Sequence, residues 1–282
     1  MNWQADGDKN WNRISSWLQA SPPDPNLRVL VLAAHPDDET IGASLLLSRF
    51  SQSTVAFLTD GAPRDTSLWS AGVNGSRDEY ARTRKQETIR ALQYAGVSAQ
   101  RIFWLEAVDQ EAVFEMSALA GRFAKHMAEI SPAIVVTHAY EGGHPDHDSA
   151  AVVARIAIAT SLLDHKNRPE LLEMTSYHAR DGQCVTGEFL RPGSSPEMCF
   201  EFSSDDRERK RNMMDAYTSQ RLVLENFPIH QERLRLAPEY NFSEPPHEGK
   251  LWYECMGWPM TAVRWRELAT SAIAEAQEHS CL

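Results

Sequence analysis

The 282-residue chain lacks any apolar stretch near the roughly 20 residues that a bilayer-spanning helix needs. No membrane span is therefore expected. Its polar, tryptophan-dotted N-terminus has neither the basic start nor the apolar centre of a signal peptide, so the expectation is a cytoplasmic protein. Cysteine is scarce: Cys184, Cys199, Cys255 and Cys281 are far apart and form no Cys-x-x-Cys pair, which points to free thiols in a reducing compartment. Basic residues are outnumbered, with 28 Lys and Arg against 39 Asp and Glu and a net charge of −11. That balance disfavours non-specific binding to nucleic acid or to anionic membranes. No Gly-x-Gly-x-x-Gly follows the first apolar run, which removes the main reason to read a dinucleotide oxidoreductase. Repeats and low-complexity segments are also missing.

What remains is the composition of an ordinary globular protein, 42% hydrophobic and 24% charged, long enough to bury a large core. In residues 1–26, Trp11, Ile14, Trp17 and Leu18 recur at helical spacing until Ser21-Pro22-Pro23-Asp24-Pro25 ends the pattern. Such a stripe must be buried, and packing on the main body is the simplest way. From residue 27 strands and helices alternate. Strands are expected over 28–34, 54–59, 101–105 and 133–137, and helices over 39–50, 77–94, 111–130 and 146–163. This alternation predicts an α/β fold: a mostly parallel, Rossmann-like sheet with helices on both faces and no dinucleotide. Beyond residue 171 the pattern is less regular, with strands expected over 171–177 and 198–202 and a charged, solvated helix over 204–226. The expected division is an N-terminal extension (1–26), the α/β domain (27–226) and a C-terminal tail and helix (227–282) completing that domain.

Two strand ends carry chemistry. Val29-Leu30-Val31-Leu32-Ala33 runs into Ala34-His35-Pro36-Asp37-Asp38-Glu39, and Ile134-Val135-Val136-Thr137 is followed by Gly142-Gly143-His144-Pro145-Asp146-His147. In an open parallel sheet the ligand crevice lies at the carboxyl ends of the strands. Either aspartate of the first cluster could be a mere helix cap. Two independent strand ends that each bear His and Asp beside Pro are harder to obtain from capping alone. Gly142-Gly143 gives backbone freedom and room for a ligand to come close.

A catalytic zinc site commonly uses three protein ligands and leaves one position open. The assignment is His35, Asp38 and His147 as ligands of Zn2+, or of another divalent ion such as Fe2+. Asp37 is the expected general base, and His144, oriented by Asp146, the group that stabilises an oxyanion or donates a proton. Asp60, at a strand end, divides evenly between a substrate contact and a mere loop cap.

At these motifs the sequence resembles the PIG-L/LmbE-like family of zinc-dependent N-acetylglucosamine deacetylases. Further similarity lies in Arg84-Lys85-Gln86-Glu87 and in Tyr217-Thr218-Ser219-Gln220, so that the resemblance covers about residues 27–226. It implies acetamide hydrolysis on a small amino-sugar conjugate, with the same ligand, base and oxyanion positions, and it sets Arg84 at a position that contacts substrate in some members, a role evenly matched by a helix-surface salt bridge. Some relatives carry a Tyr just ahead of the second motif where this chain has Gly142-Gly143, with Tyr140 further back. The loop Thr59-Asp60-Gly61-Ala62-Pro63-Arg64 also departs from the form common in thiol-sugar deacetylases. An amidase or esterase acting on non-sugar or thiol conjugates therefore stays open, as does, more weakly, a non-catalytic sugar- or metal-binding module. A homo-oligomer is neither implied nor excluded.

Overall fold

The structure, a computed structural model, describes residues 3–161, 168–191 and 193–280. Its centre is a seven-stranded sheet in the order β3-β2-β1-β4-β5-β9-β8. The first five strands are β1 (Val29–Ala33), β2 (Thr54–Thr59), β3 (Ile102–Ala107), β4 (Ile134–His138) and β5 (Glu170–Met174), and they are mutually parallel. The last two, β9 (Gln231–Leu236) and β8 (Glu197–Glu201), extend the sheet antiparallel. The expected α/β fold with a mostly parallel sheet is the one observed.

Strand β1 explains why the sheet needs cover on both sides. All five of its residues are buried, and because side chains alternate across a strand, they supply two cores. Leu30 and Leu32 join the layer built by α4 (Met116–Ile130), α5 (Pro145–Thr160) and α9 (Ala262–Ser280). Val29, Val31 and Ala33 join the opposite layer, with α2 (Asp38–Arg49), α3 (Arg77–Tyr94) and α6 (Ser204–Ala216). Helix α1 (Trp3–Gln19) lays Ile14 and Leu18 into this second core, fully buried, with Trp11 and Trp17 partly covered.

The connection after β1 runs to β2 on one side, whereas β5 lies beyond β4 on the other. The chain therefore reverses direction between β1 and β4, and a crevice opens beyond their carboxyl ends. Both sequence clusters lie there.

Several elements differ from expectation. The strand over 171–177 divides into β5 and β6 (Tyr177–Arg180), which makes a hairpin with β7 (Gln183–Thr186). The hairpin turns at Asp181-Gly182, both at positive φ, the conformation that Asp-Gly favours in two-residue turns. The helix over 204–226 breaks at Tyr217 (φ −87°, ψ 65°) and resumes after a short turn as α7 (Arg221–Leu224). Its charged run is not wholly solvated: Lys210 is fully buried, donating to the Ile41 carbonyl at 2.7 Å and pairing with Glu232 at 3.0 Å. A short helix α8 (Trp252–Cys255) lies in the tail. The end of the expected helix over 146–163 falls partly outside the described residues. Among the described residues no helix is long and apolar enough to cross a membrane.

Candidate metal and catalytic site

The two clusters meet. The rings of His35 and His147 have centroids 5.2 Å apart although 112 positions separate them in the chain. Asp38 stands between: Oδ2 is 3.1 Å from His35 Nδ1, and Oδ1 is 3.3 Å from His147 Nε2. One ligand atom from each of the three lies within 4.8 Å of the other two, and all three residues are buried. Two imidazoles and a carboxylate converging at this spacing fit a divalent ion with an open position.

The local chain explains the convergence. Pro36 turns the backbone after β1, and Asp38 opens α2, where the backbone dipoles favour an anion. The Asp38 carboxylate accepts the His35 backbone N–H at 2.8 Å, which fixes it over the turn. Although burial pushes its carboxyl up, the imidazoles of His147 and His138 hold Asp38 well below the usual carboxylate range. Burial pushes His147 down to about 3; a neutral imidazole is the form that binds metal.

Asp37, adjacent in sequence, points elsewhere. Its Oδ2 accepts from Arg84 Nη2 at 3.1 Å. Burial raises its carboxyl well above the usual range, partly opposed by the Arg84 guanidinium, the direction that makes a carboxylate a stronger proton acceptor. Its backbone lies at φ 133°, ψ −25°, a region that residues with a side chain rarely adopt.

His144 caps α5, and its Nδ1 accepts the Asp146 backbone N–H at 3.0 Å. Burial, with His35 and His147 nearby, holds His144 well below the ordinary imidazole range. The neutral ring with Nδ1 as acceptor carries its proton on Nε2, which lies 2.7 Å from the Gln110 side-chain Nε2; this tautomer requires the Gln110 amide turned so that its oxygen, not its NH2, accepts there. His35, Asp109, His144 and Asp146 also lie close enough to suggest a second ion. A protonated Nε2 cannot ligate, however, so the chemistry of His144 is that of a donor.

The orienting role expected of Asp146 takes a different form. Its carboxylate accepts the backbone N–H groups of Gln110 at 2.7 Å and Ala112 at 3.2 Å and faces His35 Nε2 at 3.2 Å. It stands 3.9 Å from His144 Nδ1, so its backbone, not its carboxylate, orients that ring. Arg84 is not on a helix surface. It is 3% exposed and donates to the carbonyls of Gly61 and Pro36 as well as to Asp37. Asp60 accepts the Ala62 N–H and pairs with Arg77, tying down the loop after β2. At Gly143 the close neighbour is the chain itself: a Cβ there would stand 2.0 Å from the Tyr177 carbonyl oxygen.

Sequence reasoning missed four residues at the site. His138 ends β4, accepts the Ala34 N–H at 3.0 Å through Nε2, and stacks on His147 at 4.0 Å. Asp109 lies 3.3 Å from His35 Nε2. Gln110 and Trp258 flank His144, the latter edge-on at 4.8 Å. His138 and Asp109 each lie at or just beyond a strand's carboxyl end, the position that singled out His35, and could have been found by that signal. Trp258, from the tail, offered none.

Residues 30–158, a stretch that spans both motifs, match the model of the PIG-L family, GlcNAc-PI de-N-acetylase. A curated relative, the 1D-myo-inositol 2-acetamido-2-deoxy-alpha-D-glucopyranoside deacetylase of Kineococcus radiotolerans, is 28% identical over 149 residues, 43% of this chain. The chain matches 41% of that relative's length. Solved structures of the same fold include the A40926 pseudoaglycone deacetylase Dbv21, at 17% identity and a TM-score of 0.53, covering 77% of this chain and all of that one. N,N'-diacetylchitobiose deacetylase from Pyrococcus horikoshii aligns at 19% identity with a TM-score of 0.53, over 78% of this chain and 82% of its own. The 4-carboxy-2-hydroxymuconate hydratase GalB of Pseudomonas putida aligns at 14% identity and a TM-score of 0.50, over 76% of this chain and 98% of its own. The shared fold thus does not by itself fix the reaction.

Proposed function

We propose that this protein is a metal-dependent hydrolase that removes the acetyl group from an N-acetylglucosamine-type conjugate. One observation carries the reading: His35, Asp38 and His147 converge within 4.8 Å while Asp37, one residue away, keeps its carboxylate apart from them on Arg84. The PIG-L match over residues 30–158 and the deacetylase relative support the choice of an acetamide as substrate. Zn2+ suits two imidazoles and one carboxylate best, with Fe2+ the alternative. When bound, the ion supplies Lewis acidity to the acetyl carbonyl and makes water a better nucleophile near neutral pH.

The chain's own residues do the rest. Asp37 takes a proton from the attacking water, its raised proton affinity matched to that task. As the carbonyl carbon becomes tetrahedral, the N–H of His144 Nε2 donates to the developing oxyanion. Asp146 N–H, by occupying Nδ1, keeps the proton on Nε2. Asp37 then returns its proton to the nitrogen as the C–N bond breaks, leaving acetate and a free amine. Asp38, kept anionic, does not compete for that proton.

The test is acetate release from a panel of N-acetylglucosaminides, simple acetamides and S-conjugates, before and after chelation and metal return. The expected result is release from the amino sugars that chelation abolishes and Zn2+ or Fe2+ restores. Release from S-conjugates or simple amides alone would favour the amidase reading, and metal-independent release would refute both.

A further inference from the structure

Asp37 is held in a backbone conformation that costs energy for any residue with a side chain, and such strain persists only where the surroundings over-determine it. Glycine would relieve it but would remove the carboxylate. The neighbours that enforce it come from two directions. On one side, the Asp37 backbone N–H donates to Glu39 Oε2 at 3.0 Å. The other Glu39 oxygen accepts from the Tyr217 hydroxyl at 2.7 Å and from Thr40 at 2.6 Å. Glu39 and Tyr217 are both fully buried. On the other side, Arg84 grips the Asp37 side chain and the preceding Pro36 carbonyl.

These two supports are joined. Tyr217-Thr218-Ser219, the break after α6, reaches Glu39 through Tyr217 and Glu87 through its next two residues. Thr218 Oγ1 donates to Glu87 at 2.7 Å, and Ser219 donates through its backbone N–H at 2.8 Å and its hydroxyl at 2.6 Å. Glu87 lies one helical turn after Arg84 on α3. The segment thus pins the first turn of α2 and the helix carrying Arg84 to each other, with Asp37 between them.

We propose that Glu39, held by Tyr217, is a positioning residue that locks Asp37 in its strained conformation and so aims its carboxylate at the attacking water. The inference rests on the reading of Asp37 as base, but its geometric half does not. A side-chain amide in place of the Glu39 carboxylate keeps one acceptor. The hydroxyls of Tyr217 and Thr40 can rotate, whereas the Asp37 N–H cannot, so the Glu39→Gln variant keeps its amide oxygen on that N–H.

The experiment has two readouts on Glu39→Ala, Glu39→Gln and Tyr217→Phe. The first is the crystal structure of each metal-free variant. Glu39→Ala should release Asp37 to negative φ, and Glu39→Gln should keep it near the present value. Retention of the strained φ in Glu39→Ala would overturn the lock, whatever the protein's reaction. The second is the split between kcat and KM on the acetamide that the wild type hydrolyses. Glu39→Ala should lose ~10²-fold in kcat, the lower range for a mispositioned general base, with KM and bound metal unchanged, while Glu39→Gln recovers most of it. Equal loss in both substitutions, or loss of metal, contradicts the role. Should Glu39→Ala not fold, Tyr217→Phe carries both readouts, with an expected ~10-fold fall in kcat from a loosened lock; wild-type kcat in it would overturn the relay. A wild type that hydrolyses no acetamide refutes the proposed reaction and leaves the crystallographic readout standing.

Discussion

Two adjacent aspartates are driven to opposite protonation tendencies by what surrounds them. Asp38 faces imidazoles and stays anionic; Asp37 is buried against one guanidinium and holds a proton more readily. Replacing Asp37 by Ala should therefore leave metal binding intact while lowering kcat by ~10²–10⁴, the range for a lost general base; metal analysis beside steady-state kinetics checks both halves. His144→Ala should cost ~10²–10³ in kcat, as for other lost oxyanion donors, with no change in metal content. Arg84→Ala strips the partner from a buried carboxylate, for which ~3–5 kcal/mol of lost stability is expected; denaturant unfolding measures it. At this scale the sequence disclosed most of the residues that the fold brings together in the candidate site. His35, Asp37, Asp38, His144 and His147 announce themselves because ligand-type residues cluster at strand ends. The surface role considered for Arg84 failed because periodicity on a polar helix does not reveal which face meets a loop.

Elements position these residues through close backbone contacts. Gly143 lies under the Tyr177 carbonyl, so the loop before α5 and the start of β6 are packed face to face. A Gly143→Ala substitution must displace backbone, not a flexible side chain. A loss of ~1–3 kcal/mol is the usual cost of overpacking, and thermal unfolding should show it, with activity falling as His144 shifts. An unchanged melting temperature would mean that the contact is looser than described. The regular α/β elements were legible because buried parallel strands are continuous apolar runs. The hairpin of β6 and β7 and the antiparallel β9 were not, although Asp181-Gly182 carried a turn signal. Strands of mixed polarity, such as Gln231–Leu236, do not stand out from the charged segments around them. Lys210 looked solvated for a similar reason: its partner, Glu232, lies 22 residues away on β9 and is met only through tertiary packing.

The whole molecule is a sheet whose strand order places its crevice between β1 and β4, with both motifs at its rim. A parallel sheet with both motifs at strand carboxyl ends was foreseeable from alternation; the strand order that sets β1 beside β4, and the tail that brings Trp258 beside His144, were not. If the buried triad binds an ion only when folded, metal must stabilise the chain by mass action, about 2.7 kcal/mol at a hundredfold excess over Kd. Melting temperature should rise with added Zn2+ in the wild type and in Asp37→Ala, and not in His147→Ala. The most direct test of the account is metal stoichiometry determined on those three proteins after identical loading and desalting. The account predicts one ion per chain in wild type and Asp37→Ala and none in His147→Ala. Metal retained by His147→Ala, or lost from Asp37→Ala, would contradict the division of these residues into ligands and base.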